Sequence, residues 1–258
     1  MKQLFYFLAF GLLVSSCNNP VDKVVKLDAP VTATEAEYSK IDTNAHYEID
    51  LVYPVIDGSF TLEILNKINN TIAEKFNEFT NQNSFIEAHQ DLPSDFNTND
   101  EDWLGILQNT YGITQCDSIV TIWFSVYQYY LGAAHGFTIN HSLHFNINTG
   151  DLLNVNDFFK TDPKSLQSIK NIINNNLPDS VCWGIEADSN ILMNIEDFVF
   201  SNDSLTLKID DYALCPYAFG LTSISYPISD FTEVLSIPEF TKCVDISVVH
   251  NEAVIATH

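Results

Sequence analysis

Residues 118–147 read SIVTIWFSVYQYYLGAAHGFTINHSLHFNI: two runs rich in β-branched and aromatic residues, joined by Gly132-Ala133-Ala134-His135-Gly136. Such runs fit a pleated, half-buried surface. Glycines in a short connection adopt backbone angles that other residues resist. The pattern therefore predicts strands over residues 118–130 and 137–147, antiparallel to each other across a tight turn. Gly132, His135 and Gly136 are candidate ligand-binding or structural turn residues, and the turn role is the expected one, with His135 held against the backbone.

Outward from this pair, residues 46–53, HYEIDLVY, alternate Tyr47, Ile49 and Leu51 onto one face, as a strand does. From residue 59 to 79 the apolar residues recur at three- and four-residue steps, which marks an amphipathic helix. Residues 80–110 are mixed and acidic and read as short helical pieces and loops. On the other side, Asn148-Thr149-Gly150 signals a turn, and DLLNVNDFF at 151–159 reads as a short strand and a helix start. Asp162-Pro163 opens a helix over residues 165–177. Further strands are expected near 197–200, 205–209 and 222–226, the last followed by a helical turn. Elements in blocks, without strict alternation, predict an α+β fold: a small N-terminal strand-helix part packed with a larger, mainly antiparallel sheet covered by helices.

The charge is unusual. Among 258 residues, 34 acids face 11 basic residues, all of them lysine, for a net charge of −23. Without arginine the chain lacks the planar fork suited to phosphates and bases. A field of this sign also repels nucleic acid. A nucleic-acid partner is excluded, and the acidity fits either solubility or a cationic partner.

The start, MKQLFYFLAFGLLVSSC, has a lysine, an apolar run and small residues before Cys17. It reads as an export signal over 1–16. Val14-Ser15-Ser16-Cys17 resembles the bacterial lipobox, which makes Cys17 the lipidation site and the link to the membrane. Polar residues 17–44 then form a lipid-anchored linker. Cys116, Cys182, Cys215 and Cys243 contain no CxxC pair. In an exported protein they are possible disulfides, with three connectivities open, and buried free thiols are the alternative.

GxSxG, GxxxxGK[ST] and HExxH are all absent. Asp95, Asn97, Asn99 and Glu101 imitate a calcium loop, but Asp100 stands where glycine is needed and Ile106 where the closing glutamate belongs. His141 and His144 point to opposite faces of a strand and do not converge with His135 on a metal. No metal and no cofactor is expected.

The string YLGAAHGFTINHSLHFNINTGDLLNVNDFF resembles an extracytoplasmic domain family of unknown function, the RsiV-like C-terminal domain, in its Gly-Gly-Ala-His-Gly turn, Thr-Gly turn and helix start. IDDYALCPYAFGLTSISYPISDF is similar to the family's segment near its C-terminal end, and it places Tyr217 among the candidate ligand-binding residues. The strand and helix at 46–79 are similar to the smaller domain that usually precedes it. Ala133, Ala213 and Cys215 depart from the family pattern. Related domains form the outer part of lysozyme-binding anti-sigma factors and an accessory region of certain peptidoglycan deacetylases. The resemblance implies a small α/β domain over 45–110, an RsiV-like α+β domain over 111–240 and a C-terminal tail over 241–258.

The resulting expectation is a lipid-anchored, exported cell-envelope protein acting as a non-enzymatic binding module for a cationic protein or a cell-wall glycan, and more likely not an enzyme. The alternative is a carboxylate-dependent cell-wall hydrolase or an accessory subunit of a peptidoglycan-modifying enzyme, because paired carboxylates need no local motif.

Overall fold

The computed structural model describes residues 30–90, 104–177, 192, 195–216, 218, 220, 223–237 and 242–246. β1 (Thr32–Asp42) and β2 (Tyr47–Asp57) form a hairpin paired along its full length. α1 (Leu62–Thr80) follows, starting where the Thr61 side chain accepts the Ile64 amide and ending where Asn81 turns left-handed, φ 43°. Its stripe of Ile68, Ile72 and Phe76 is buried. α2 (Gln82–Gln90) continues the crossover to β3 (Gly105–Cys116), whose first residues pair parallel with β2, Tyr47 opposite Gly105. Parallel pairing requires such a crossover. It is tight: a Cβ on Gly105 would fall 1.8 Å from His89 Nε2.

β4 (Ile119–Tyr129) and β5 (Phe137–Asn146) pair antiparallel over ten or more residues, as their composition predicts. β6 (Asp151–Leu153) covers the far end of β5. α3 (Val155–Phe158) and α4 (Pro163–Asn175) follow, the latter capped by Asp162, which accepts the Lys164 and Ser165 amides. A second sheet is built from β7 (Phe198–Phe200), β8 (Ser204–Lys208) and β9 (Ser223–Pro227), with a 3-10 turn at Ile228–Phe231. β10 (Cys243–Ile246) returns to β3. The architecture is α+β, a strand-helix unit packed against a larger, mostly antiparallel sheet partly flanked by helices.

Two differences from expectation have local causes. Residues 32–42 were expected within a linker but form β1; most of its side chains are solvated, as at an outer strand, so no alternation marks it. The expected loop toward residue 110 is instead the start of β3, whose pattern is broken by Asn109, Gly105 and Gly112.

Asn109 explains one break. β3 has β4 along one side; on the other, β2 meets residues 105–108 and β10 meets residues 113–116. Between them the Asn109 side chain accepts the Val52 amide at 2.9 Å and donates to the Val52 carbonyl at 2.8 Å, standing in for a strand backbone. The Cys116–Cys243 disulfide fastens β10 across a separation of 127 residues. Cys215 is also disulfide-bonded, to a partner outside the described residues, and Cys182 itself lies outside them.

Alternation sends one face of the large sheet, including Leu107, Ile122, Phe124 and Phe145, onto α1 and α2. Each such side chain contributes about 1.5–3 kcal/mol by burial. The other face, at its Cys116 end, packs with Phe158, Phe198 and Phe200 under the second sheet. His141 stacks on Phe79 at 3.9 Å on the first face, and His144 on Phe198 at 4.2 Å on the second. Burial lowers their pKa values to about 4 and about 3, so both are neutral packing residues.

Candidate active site

In β5 the amides of the even-numbered residues point away from β4. Those of His144 and Asn146 belong to the stretch that pairs with β6. Those of Thr138, Asn140 and Ser142 meet no strand among the described residues, and each is taken by a carboxylate from much later in the chain. Thr138 donates to Asp211 Oδ2 at 2.7 Å, Asn140 to Asp210 Oδ1 at 2.6 Å, and Ser142 to Asp197 Oδ1. The Asn140 side chain also donates to the Ile209 carbonyl at 2.9 Å, which ties the segment after β8 to this edge.

The carboxylates are half-buried and crowded. Burial, then the charges of Asp210 and Glu196, push Asp197 up to about 8, against the pull of the Ser142 amide. Asp210 is raised by burial first, against two hydrogen bonds from Asn140. Glu196 is raised by burial and by Asp210. At neutral pH Asp197 holds its proton. Amides two residues apart on a strand are separated by about 7 Å. Asp197 and Asp210 are thus held by neighbouring outward amides of one strand edge, close enough for the charge of Asp210 to raise Asp197.

The turn of residues 132–136 abuts the same segment. His135 Nδ1 donates to the Gly136 carbonyl at 2.8 Å, since a carbonyl can only accept. Nε2 is thereby left to accept the Tyr212 hydroxyl at 3.1 Å. Tyr212 reaches it from a left-handed backbone, φ 66°, unusual for a residue with a side chain. Gly132 is left-handed too, φ 89°. Gly136 is not: it must be glycine because an added Cβ would lie 2.3 Å from Tyr127 Oη. Of the residues singled out in the sequence, His135 is thus tied to Tyr212, next in the chain to Asp211, and Gly132 and Gly136 belong to the same turn as His135. Tyr217, Cys17 and the stretch 95–101 lie outside the described residues. Asp197, Asp210, Asp211 and Tyr212 escaped sequence reading; the one signal was Asp210-Asp211 directly after a strand.

Among the described residues no group of three or more His, Cys, Asp or Glu side chains is arranged to hold a metal ion.

A family model described as deacetylase PdaC matches residues 41–138. The matched stretch ends at Thr138, the first of the three amides. Among solved structures, a DUF3298 family protein from Pseudomonas aeruginosa PAO1 is similar with TM-score 0.52 and 14% identity, covering 82% of this chain and 96% of that one. A DUF3298 family member from Bacteroides fragilis NCTC 9343 is similar with TM-score 0.52 and 12% identity, covering 82% and 95%. At these identities the likeness is one of fold. No curated protein matches. The deacetylase match overturns the expectation of a non-enzymatic binding module, and with it the expectation that the chain is more likely not an enzyme; it favours the hydrolase or enzyme-subunit alternative. That expectation rested on missing motifs, the acidic field and the resemblance, and carboxylates gathered from residues 197 and 210 leave no motif to find.

Proposed function

We propose that this protein is an exported hydrolase that acts on acetylated cell-wall glycan, with Asp210 as general base and Asp197 as general acid. The match to a deacetylase family over residues 41–138 carries this reading. Asp210 takes a proton from water as the oxygen attacks, and Asp197, protonated at neutral pH, gives its proton to the departing group. Ser142 Oγ, on the residue whose amide holds Asp197, is buried without a hydrogen-bond partner among the described residues. Such a group calls for an explanation beyond stability, and a site is one. Cys17 anchors the chain to the envelope, and the disulfides at Cys116–Cys243 and at Cys215 favour an oxidising compartment.

The test is incubation of the purified protein with peptidoglycan and with N-acetylglucosamine oligomers, reading acetate and new reducing ends. Release of acetate identifies the N-acetyl bond as the target, and reducing ends the glycosidic bond. Asp197→Asn and Asp210→Asn should each abolish release, and the wild-type rate should fall above pH about 8. No release of either product by the wild type overturns the reading.

A further inference from the structure

A cavity of about 620 Å³ opens at the turn end of the second sheet, where Ser204 of β8 pairs with Pro227 of β9. Its volume falls in the range of small-molecule sites, roughly 300–1,000 Å³. Asp197 and Asp210 sit beyond the sheet's other end, where Lys208 pairs with Ser223 and its amide donates to the Asp197 carbonyl at 2.8 Å. Pro227, Ile228, Leu235 and Ile237 give the cavity an apolar wall. Asn202, Asp203, Ser229 and Thr232, all exposed, give it a polar one. Tyr226 also belongs to the wall, yet it is only 1% exposed and its Oη is buried without a hydrogen-bond partner among the described residues. Such a group costs stability, and a ligand site is a physical reason to keep it.

We infer that this cavity binds an uncharged sugar residue of a glycan. The polar wall is set by its own hydrogen bonds. Asn202 Oδ1 accepts the Cys243 amide at 2.6 Å, so the side chain meets a ligand as a donor, through Nδ2. Thr232 Oγ1 gives its proton to the Ser229 carbonyl at 3.0 Å, so it meets a ligand as an acceptor. The Asp203 carboxylate accepts as well, and the Ser229 hydroxyl does either. Sugar hydroxyls, each donor and acceptor at once, answer fixed donors and acceptors side by side, and the C–H face of a sugar ring suits the apolar wall. An anionic ligand is opposed: among the described residues no lysine lines the cavity, Asp203 does, and the chain carries a net charge of −23. A simple cation is opposed by the apolar wall and by the Asn202 donor. Binding here does not depend on hydrolysis at Asp197 and Asp210; where both occur, the cavity grips the glycan away from the bond that is cut.

Isothermal titration of the full chain carrying Asp197→Asn, to prevent turnover, with an N-acetylglucosamine tetramer and with a galacturonic acid tetramer tests this. The neutral tetramer should bind roughly tenfold more tightly, or better, than the acidic one. Thr232→Trp and Ser229→Trp, both at exposed positions, fill the cavity, and each should weaken the neutral tetramer roughly tenfold or more at unchanged melting temperature. Tyr226→Phe should weaken it at a melting temperature that holds or rises, because the hydroxyl it removes has no partner among the described residues. No binding of the neutral tetramer, equal affinity for the acidic one, or unchanged affinity in any of the three cavity variants would overturn the inference. Binding lost in the tryptophan variants, with no acetate or reducing ends released by the wild type, sinks the hydrolase reading alone. Product release with affinity unchanged in the tryptophan variants sinks the cavity alone.

Discussion

Asp197 and Asp210 accept the amides of Ser142 and Asn140, neighbouring positions on one strand edge, and the charge of Asp210 helps hold the proton on Asp197. A carboxyl raised from 3.8 to about 8 keeps its proton in the folded state after the unfolded chain has released it. Its contribution to stability is therefore full below pH about 4 and is lost as pH rises toward 8. His141 and His144, lowered from 6.5, act in the opposite sense: their contribution is lost as pH falls below about 6.5. The melting temperature should peak near pH 6.5 and decline from there to pH 8. Calorimetry on Asp197→Asn should show that decline flattened; an identical slope would remove Asp197 as its source.

Gly136 is required for space and not for its backbone angle. Gly136→Ala should cost about 1–3 kcal/mol, as overpacking does. In a double-mutant cycle with Tyr127→Ala the penalty should shrink, and strict additivity would show that the ring is not the obstacle.

Labelling of the unfolded, unreduced protein should leave Cys116, Cys215 and Cys243 unmodified. Replacing Cys116 and Cys243 together by alanine should cost about 2–5 kcal/mol. Protease cutting near residue 243 should follow, and a pair whose loss changes neither stability nor cutting would not be the fastener of β10.

His135→Ala removes two surface hydrogen bonds and should cost about 1 kcal/mol. Tyr212→Gly relieves a left-handed backbone worth about 1 kcal/mol and should change the melting temperature little. If either variant loses hydrolysis while its melting temperature holds, the pair serves the site. Full activity in both would confine them to shaping the turn.

Cys17→Ala should move the protein from the membrane fraction to the aqueous one. An unchanged partition would end the lipid-anchor proposal.

Legibility followed packing. β4 and β5 were readable because Val120, Ile122, Phe124 and Val126 bury one whole face of a strand. α1 was readable because Ile68, Ile72 and Phe76 recur at helical spacing. β1 was not, since a solvated outer strand carries no alternation to detect. β3 was hidden by Asn109, polar because it replaces backbone pairing, and by two glycines that yield to His89 and Trp123. The carboxylate row could not be seen at all. Its geometry comes from the spacing of amides on β5, while Asp197 and Asp210 sit in segments more than fifty residues downstream, brought there only by the tertiary fold.

The divided outer edge of β3 sets an order of assembly. In a chain made from its N-terminal end, residues 105–108 meet a β2 that precedes them, but residues 113–116 pair with a strand whose cysteine lies 127 positions later. During that interval their amides and carbonyls are open to any extended peptide nearby. Such late, long-range pairing is slow to form. Those groups lack their native partner until β10 arrives, and the Cys116–Cys243 disulfide then holds that partner in place.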